Sequence, residues 1–464
     1  MSTPRSLEPS GLSLAIDPSV RASYARDASG LYLVPDAVAR PSNAAEVVEF
    51  VREAAAGRTP ITAAGAQTST TAASICGKGL LLSTRAMARV LDIDARTLTA
   101  RVEPGVLLGD LRRALAPHGL FFAPDPTSEE ECTVGGAIAC NASGPRTLRY
   151  GATRAHVRAL TVVLANGDTM ELRRSSLEKN TVGYAPVHDL VDWFVGSEGT
   201  LGVIVAAELA LMPRPAREIG LAIPFADEAR ALAFVVAARE SAELRPRCLE
   251  YFDAESFAIA RAHAAPGAWG DGAGAMIYAE ATTDGDDAPM DAWLMLGERY
   301  GARDADVRVF EGEAAMREAR QLRHAVPATM HERVAPYLAA GGRRVSTDWA
   351  VPWRTAADAV RLARRYADDA GIAPGIVYGH LGNGHPHQNF IARSPDDVRA
   401  IEAVVERTLR DVVAMGGTVA AEHGIGKLKS RWLSMQLAPR QIGIMRAVKT
   451  ELDPCGLLAP GNIL

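Results

Sequence analysis

The sequence predicts an α+β fold, and three observations carry that expectation. Stretches of helical periodicity alternate irregularly with short apolar runs, without the regular beat of strand–helix–strand units. Asn166-Gly167 and Asn383-Gly384 each sit between strand-like runs, the strongest short-range signal for an antiparallel hairpin. Glycine-punctuated loops run into apolar segments, as in "FVGSEGTLGVIVAAELALMP". Pro213-Arg214-Pro215 punctuates the chain and marks a domain boundary.

The elements follow in order. Residues 1–35 read as an irregular lead-in with short helices. "SNAAEVVEFVREAAAG" has helical spacing, with Ser42 as N-cap, Glu46 to reach back and Gly57 to stop it. A strand at 60–63 precedes the small-residue run "AAGAQTSTTAAS". Strand-like "GLLLST" and "VLDIDARTLTARVEPGV" lead to a helix "LLGDLRRALAPHG" closed by Gly119. "TVGGAIACNASG", residues 133–144, reads as a second small-residue loop, and "ALTVVLANGDTMEL" as a hairpin. Beyond Pro215 come a helix over "ADEARALAFVVAARESAEL", strands near 246–252 and 275–282, and a glycine-rich loop in "GDGAGAMIYAE". Helices over 312–340, 353–370 and 396–415 follow, with a hairpin at 376–391.

Composition narrows the function classes. The chain of 464 residues is long enough for two or three domains. A net charge of −5 argues against a general nucleic-acid binder. Five cysteines (Cys76, Cys132, Cys140, Cys248, Cys455) form no CxxC, so neither a zinc ribbon nor a disulfide framework is indicated and a reducing compartment fits. No basic segment followed by an apolar run opens the chain, and no stretch approaches the roughly 18 apolar residues of a membrane span. The expected location is the cytoplasm, with peripheral attachment at the inner membrane left open. There is no G-x-G-x-x-G opening a helix, no Walker A, no G-x-S-x-G and no H-E-x-x-H.

Residues 376–391, "IVYGHLGNGHPHQNFI", place three histidines within eight positions. A two-residue Asn383-Gly384 turn would set His380 opposite His387. Alternation would put Tyr378, His380, His385, His387 and Asn389 on one face. Opposed Cβ atoms lie roughly 5 Å apart, close enough for two imidazoles to grip one ion. A polar hairpin tip with solvated histidines fits the same residues unless a third ligand joins them.

Residues 62–74, "TAAGAQTSTTAAS", let consecutive backbone amides converge on an anion, with Thr68 and Ser69 adding hydroxyls. Together with residues 133–144 and "GSEGTLG" at 196–202, they suggest a large cofactor bearing a diphosphate. The order P-S-N-A-A-E-V, E-P-G-V, P-D-P-T-S, T-V-G-G-A-I-A-x-N-A-S-G, R-Y-G and V-G-S-E-G-T-L-G-V-I resembles the FAD-binding domain of the vanillyl-alcohol oxidase/PCMH superfamily. The G-H-x-G-x-G-x-x-H run from Gly379 to His387, "AEHGIG" at 421–426 and the terminal P-G-N-I resemble a second domain. It is the FAD-linked oxidase C-terminal domain of the D-lactate dehydrogenase, glycolate oxidase D-subunit and D-2-hydroxyglutarate dehydrogenase group.

The resemblance implies a PCMH-type FAD-binding domain over 36–215 and an α+β substrate domain with a metal site over 216–450. It implies that 451–464 return to the FAD domain. FAD would be non-covalent, because 62–74 contain no histidine. Gly65, Ala66, Gln67, Thr68 and Ser69 would hold its diphosphate. Pro126, Thr127, Gly135, Gly136, Asn141, Gly144 and Val203 or Ile204 would surround the ribityl chain and ring, with Asn462 returning to the flavin. Cys132 and Cys140 would pack near the cofactor without bonding to it. A divalent ion, zinc or manganese, would sit on His380, His387 and Glu422. His423 would take the substrate proton, Asn389 would hydrogen-bond substrate and Arg323 would clamp its carboxylate. His385 stands where relatives often carry Asn.

The implied activity is FAD-dependent oxidation of a D-2-hydroxy acid to the 2-oxo acid. Ser346 and Pro327 replace a lysine and a threonine that serve the distal carboxylate in the hydroxyglutarate members. That argues against a dicarboxylate such as D-2-hydroxyglutarate and favours a small monoacid such as D-lactate or glycolate, D-lactate first, although Arg343 or Arg344 could substitute. The chain lacks a Cys-rich extension for iron–sulfur clusters, so a separate acceptor is expected: a quinone, a cytochrome or an electron-transfer flavoprotein. A homodimer is left open. Two other classes fit some of the residues, a metal-dependent hydrolase built on His380, His387 and Glu422, and a non-catalytic flavin-binding subunit.

Overall fold

The computed structural model describes residues 13–264, 269, 273–283 and 288–464; residues 1–12 of the lead-in and 270–272 of the glycine-rich loop lie outside them. Two compact units form, neither contiguous in sequence. Residues up to Ser143, Ala152–Arg214 and Glu422–Leu464 make the first, and Gly144–Gly151 with Pro215–Ala421 make the second. The chain thus re-enters the first unit at Glu422, earlier than the expected 451. The reason is local: the amides of Ile425, Gly426 and Lys427 find their acceptors on Glu198 and Thr71 of the first unit.

The first unit holds two main sheets. One runs Leu14–Ala15, Ala37–Ala39, Leu80–Ser83, Ile61–Ala64, with the last three strands parallel. The Ala44–Ala56 helix makes a crossover, and its cap is Asn43 rather than Ser42. Asn43 Oδ1 accepts the Glu46 amide at 3.0 Å, while Ser42 donates from its amide and hydroxyl to the Glu46 carboxylate. The second sheet is antiparallel, in the order Val90–Asp94, Thr99–Val102, Val203–Ala210, Val157–Val163, Thr169–Arg173. Its last two strands form the expected Asn-Gly hairpin.

Val47, Phe50, Val51 and Ala54 of the Ala44–Ala56 helix pack in one core with Leu80, Leu82, Val163 and Val203. A second core joins the five-stranded sheet to the helices Leu108–Leu115 and Val134–Cys140. The segment read as a second small-residue loop is therefore mostly helix, capped by the Thr133 hydroxyl and ended by Asn141 at φ 49°. Small residues serve packing here: a Cβ on Gly135 would lie 2.6 Å from Pro104 Cβ.

The second unit is a seven-stranded antiparallel sheet in the order Arg308–Glu311, Arg217–Phe225, Ala275–Thr283, Cys248–Asp253, Ile376–His380, His385–Ala392, Arg343–Ser346. Helices Ala254–Ala262 and Gly312–Val334 cover the face bearing Ala222, Phe252, Met276 and Tyr278. The Glu228–Glu240 helix lies on the other face, with Phe234 against Phe225.

At one end of the covered face sits a buried charge cluster. Arg146, on the inserted Gly144–Gly151 segment, donates from Nε to Glu280 Oε2 at 2.9 Å, and Tyr278 donates to Oε1 at 3.1 Å. Arg247 lies 3.6 Å from the same carboxylate. Burial by itself raises the Glu280 carboxyl, yet the two guanidinium groups hold it down at about 2, below its ordinary 4.5. A depressed carboxylate contributes stability above its unfolded pKa and loses it as pH falls toward the folded one. Urea unfolding at pH 5 and pH 3 should therefore show a larger loss in the unaltered protein than in Glu280→Gln, by about 2 kcal/mol. Equal losses would remove Glu280 from the acid limb.

Candidate active site

The histidine hairpin lies in the second unit, and its register differs from the simple two-residue turn. His385 opposes His380, and His387 opposes Tyr378. Leu381–Asn383 make a 3₁₀ turn, and the Gly384 amide donates to Leu381 O at 2.8 Å. A type I′ turn needs positive φ at both central residues, and only Gly384 (φ 72°) adopts it, not Asn383. A Cβ on Gly384 would meet Val351 O at 2.0 Å. The pairing shifts by two, an even number, so the shared face survives. His380, His385 and His387 cluster with ring centroids 5.6, 5.4 and 4.5 Å apart.

Each ring is anchored through Nδ1. His380 donates to Glu250 Oε1 at 2.6 Å, His385 to Trp349 O at 2.7 Å and His387 to Thr347 O at 3.3 Å. An oxygen acceptor there sets the tautomer with its proton on Nδ1 and turns the lone pair to Nε2. That donor set fits a divalent metal, for which His Nε2 is an ordinary ligand. Asn389 is fully buried on the same face. Its amide donates weakly to His387 O, while its Oδ1 has no hydrogen-bond partner among the described residues, an acceptor waiting for a donor.

Glu250, which the sequence reading missed, organises this site. It lies in Cys248–Asp253, a strand buried throughout, and is 1% exposed. Besides His380 it accepts Arg323 Nε at 2.7 Å, and Arg323 Nη2 lies 3.5 Å from His380 Nε2. Burial opposes its charge, but His380 and Arg323 together hold the carboxyl at about 2. The available signal was one carboxylate in the otherwise apolar "CLEYF".

The first unit gathers the other candidate residues. After Ile61–Ala64, the amides of residues 66–70 meet no protein acceptor among the described residues, and the loop is half-buried. Gln67 (φ 57°) and Ala72 (φ 62°) turn it through left-handed conformations, so its amides converge. The Gln67 side chain braces the loop, donating to Tyr24 O and Ser74 O. Ser69 Oγ accepts the Thr71 and Ala73 amides, and a Cβ on Gly65 would meet Thr133 Oγ1 at 2.1 Å. Unpartnered amides on small residues fit a diphosphate.

Other candidates are built into the protein. Pro126 and Thr127 open a turn in which Pro126 O accepts the Glu129 amide. The Gly136 amide caps onto Thr133, Asn141 Oδ1 accepts the Arg154 amide, and Val203 and Ile204 lie in the two cores. Gly144 begins the segment inserted into the second unit. Asn462 is fully buried: its Oδ1 accepts Lys427 Nζ at 2.6 Å, and its Nδ2 donates to Ala73 O and Glu198 O. Glu422 accepts from Ser143 Oγ at 3.4 Å, and the His423 carbonyl accepts from Thr71 Oγ1 at 3.3 Å. Burial pushes the Cys132 and Cys140 thiols up to about 11 and about 12, which leaves neither a thiolate nucleophile at neutral pH.

Residues 35–173 match the FAD binding domain family, and residues 214–463 match the family of FAD linked oxidases, C-terminal domain. The chain belongs to the FAD-linked oxidases. It is 32% identical to the glycolate oxidase subunit GlcD of Bacillus subtilis, over 96% of this chain and 92% of that one. It is 30% identical to the D-2-hydroxyglutarate dehydrogenase of Xanthomonas citri pv. viticola (97% and 94% covered) and 31% identical to the D-lactate dehydrogenase of Archaeoglobus fulgidus (92% and 91%). A p-cresol methylhydroxylase structure with substrate bound shares the fold at TM-score 0.71 and 15% identity, covering 97% of this chain and 93% of that one. This FAD-linked oxidase is an α+β flavoprotein of PCMH-type architecture. None of its described helices is long and apolar enough to cross a membrane.

Removing the Glu250 charge takes the buried carboxylate away from Arg323 and His380. Glu250→Gln should lose about 3 kcal/mol of unfolding free energy in chemical denaturation. A change below about 0.5 kcal/mol would mean that Glu250 does not organise the site.

Proposed function

We propose that this FAD-linked oxidase converts a D-2-hydroxy acid to the 2-oxo acid. The observation that carries the reading is the buried histidine face, with Nδ1-anchored rings beside an unpartnered Asn389 oxygen. Asn389 hydrogen-bonds the substrate. Arg323, its plane set by Glu250, binds the 1-carboxylate through its remaining donors. His423 takes the hydroxyl proton. FAD, when bound, would supply the acceptor for the hydride leaving the substrate Cα.

The amides and hydroxyls of Gly65, Ala66, Gln67, Thr68 and Ser69 hold the FAD diphosphate non-covalently. Pro126, Thr127, Gly136 and Asn141 line the rest of the cofactor. Gly135, Val203, Ile204 and Asn462 support it through packing and hydrogen bonds. His380, His387 and Glu422 hold a divalent ion, zinc or manganese, which supplies Lewis acidity toward the substrate's hydroxyl and carboxylate oxygens. Ala421 donates to Asp348 O at 2.8 Å, which tethers the residue before Glu422 to the extended segment beside the hairpin. Electrons leave to a separate quinone, cytochrome or electron-transfer flavoprotein, and the protein works in the cytoplasm. Ser346 and Pro327 favour a D-lactate-like monoacid as long as no other cation serves the substrate's far end.

Anaerobic D-lactate should bleach the visible flavin absorbance of the purified protein, and chelation should slow the bleaching. His387→Asn should lower kcat/KM at least about 10-fold, as loss of a metal ligand does. A yellow protein bleached by none of D-lactate, glycolate and D-2-hydroxyglutarate would sink the reading.

A further inference from the structure

Glu198 is a buried carboxylate of the first unit, 6% exposed. It sits at φ 51°, in the left-handed region that a residue with a side chain adopts at a cost. Its own backbone is fixed on both sides: the amide donates to Ala139 O at 2.9 Å, and the carbonyl accepts Asn462 Nδ2 at 3.2 Å. Among the described residues no cation forms an ion pair with its carboxylate. The carboxylate meets backbone instead. Oε1 accepts the Ile425 amide at 2.5 Å, and Oε2 accepts the Gly426 amide at 2.7 Å.

Those amides form a nest. Gly424 (φ 76°) and Gly426 (φ 50°) turn the chain through left-handed conformations on either side of Ile425, so successive N–H groups converge on one anion. The fit is close: a Cβ on Gly424 would lie 2.4 Å from Glu198 Oε1. Thr71 holds the other side of the turn. Its Oγ1 donates to His423 O at 3.3 Å, and its carbonyl accepts the Lys427 amide at 3.0 Å. The backbone from His423 to Lys427 is thus gripped from two directions, and Glu422 and His423 lead directly into it. His423 Nε2 lies 3.4 Å from Glu422 Oε1. Only a carboxylate accepts both amides. A glutamine of the same shape accepts one and turns its NH₂ toward the other, a donor against a buried donor.

We infer that Glu198 is a positioning residue for the reaction: by fixing the turn over Gly424–Gly426 it aims the Glu422 carboxylate and the His423 imidazole. It acts through the backbone of the turn and not on the reacting atoms. The inference rests on the hydroxy-acid reading above, in which Glu422 holds the ion and His423 takes the proton. A strained residue and a buried charge together cost stability, and what they secure is the geometry of one turn. Partners that orient a metal ligand are typically worth about 10- to 100-fold in metal affinity or activity.

The test compares Glu198→Gln and Glu198→Asp with the unaltered holoenzyme, scoring only protein that keeps its flavin absorbance and melts cooperatively. Zinc affinity is read by competition with a chromophoric chelator. The limiting rate of anaerobic flavin reduction by D-lactate, glycolate or D-2-hydroxyglutarate is read by stopped flow with zinc in excess. In Glu198→Gln, zinc affinity and the limiting rate should each fall at least about 10-fold, while half-saturation by the acid moves less than about twofold. Glu198→Asp keeps both acceptors on a shorter arm and should lose less, and it carries the comparison if the Gln protein does not fold. Zinc affinity and limiting rate both unchanged, even in a protein that melts lower, would reduce Glu198 to a structural role and overturn the inference. If the unaltered protein reduces its flavin without binding zinc, the metal part of the reading is wrong and the rate alone decides for or against Glu198. If it neither binds zinc nor reduces its flavin with any of the acids, that reading falls and the inference falls with it.

Discussion

The second unit is arranged around carboxylates buried where water cannot solvate them. Glu250 and Glu280 lie on one face of the sheet, since Cys248 pairs with Glu280 and Glu250 with Tyr278. An isolated buried carboxylate would protonate, so each is tolerated only with cations delivered to it. Glu280 draws Arg146 from a segment far back in the sequence, and Glu250 draws Arg323 from the covering helix. The positions of both arginines follow from that requirement. Because Glu250 also fixes His380, one buried charge sets the Arg323 guanidinium and a histidine in a common frame.

The same logic orders the first unit with weaker partners. Glu198, at φ 51° in the "GSEG" loop, accepts the Ile425 and Gly426 amides. Burial raises its carboxyl in spite of those donors. Asn462 ties the C-terminal residues to the first loop through Ala73 and to Lys427. The loop that presents unpartnered amides is thus held by its flanks, which is what lets a stretch of small residues keep one conformation without a core of its own.

Much of the site was legible because its rules are local. Period-two alternation placed Tyr378, His380, His385, His387 and Asn389 on one face whichever register the turn chose. The register itself was not legible, since it depends on Asn383 declining the left-handed conformation and on Val351 O crowding Gly384. Ser42 and Asn43 are equally good caps on paper, and the helix chose between them by one residue. Residues 134–140 read as a loop because glycine and alanine carry no periodicity, yet Thr133 and the Pro104 contact make them helical.

By itself the sequence determined the α+β class, the order of most elements, the small-residue loop after Ile61–Ala64 and the face of the hairpin. These rest on alternation, capping chemistry and backbone freedom, all properties of neighbours in the chain. Tertiary structure alone decided that Glu250 underlies Arg323 and His380, that Arg343 is neutralised while Arg344 is not, and that Gly144–Gly151 joins the second unit. Charge pairing and burial act between residues tens to hundreds of positions apart, and no periodicity in the chain records which distant partner a buried charge will find.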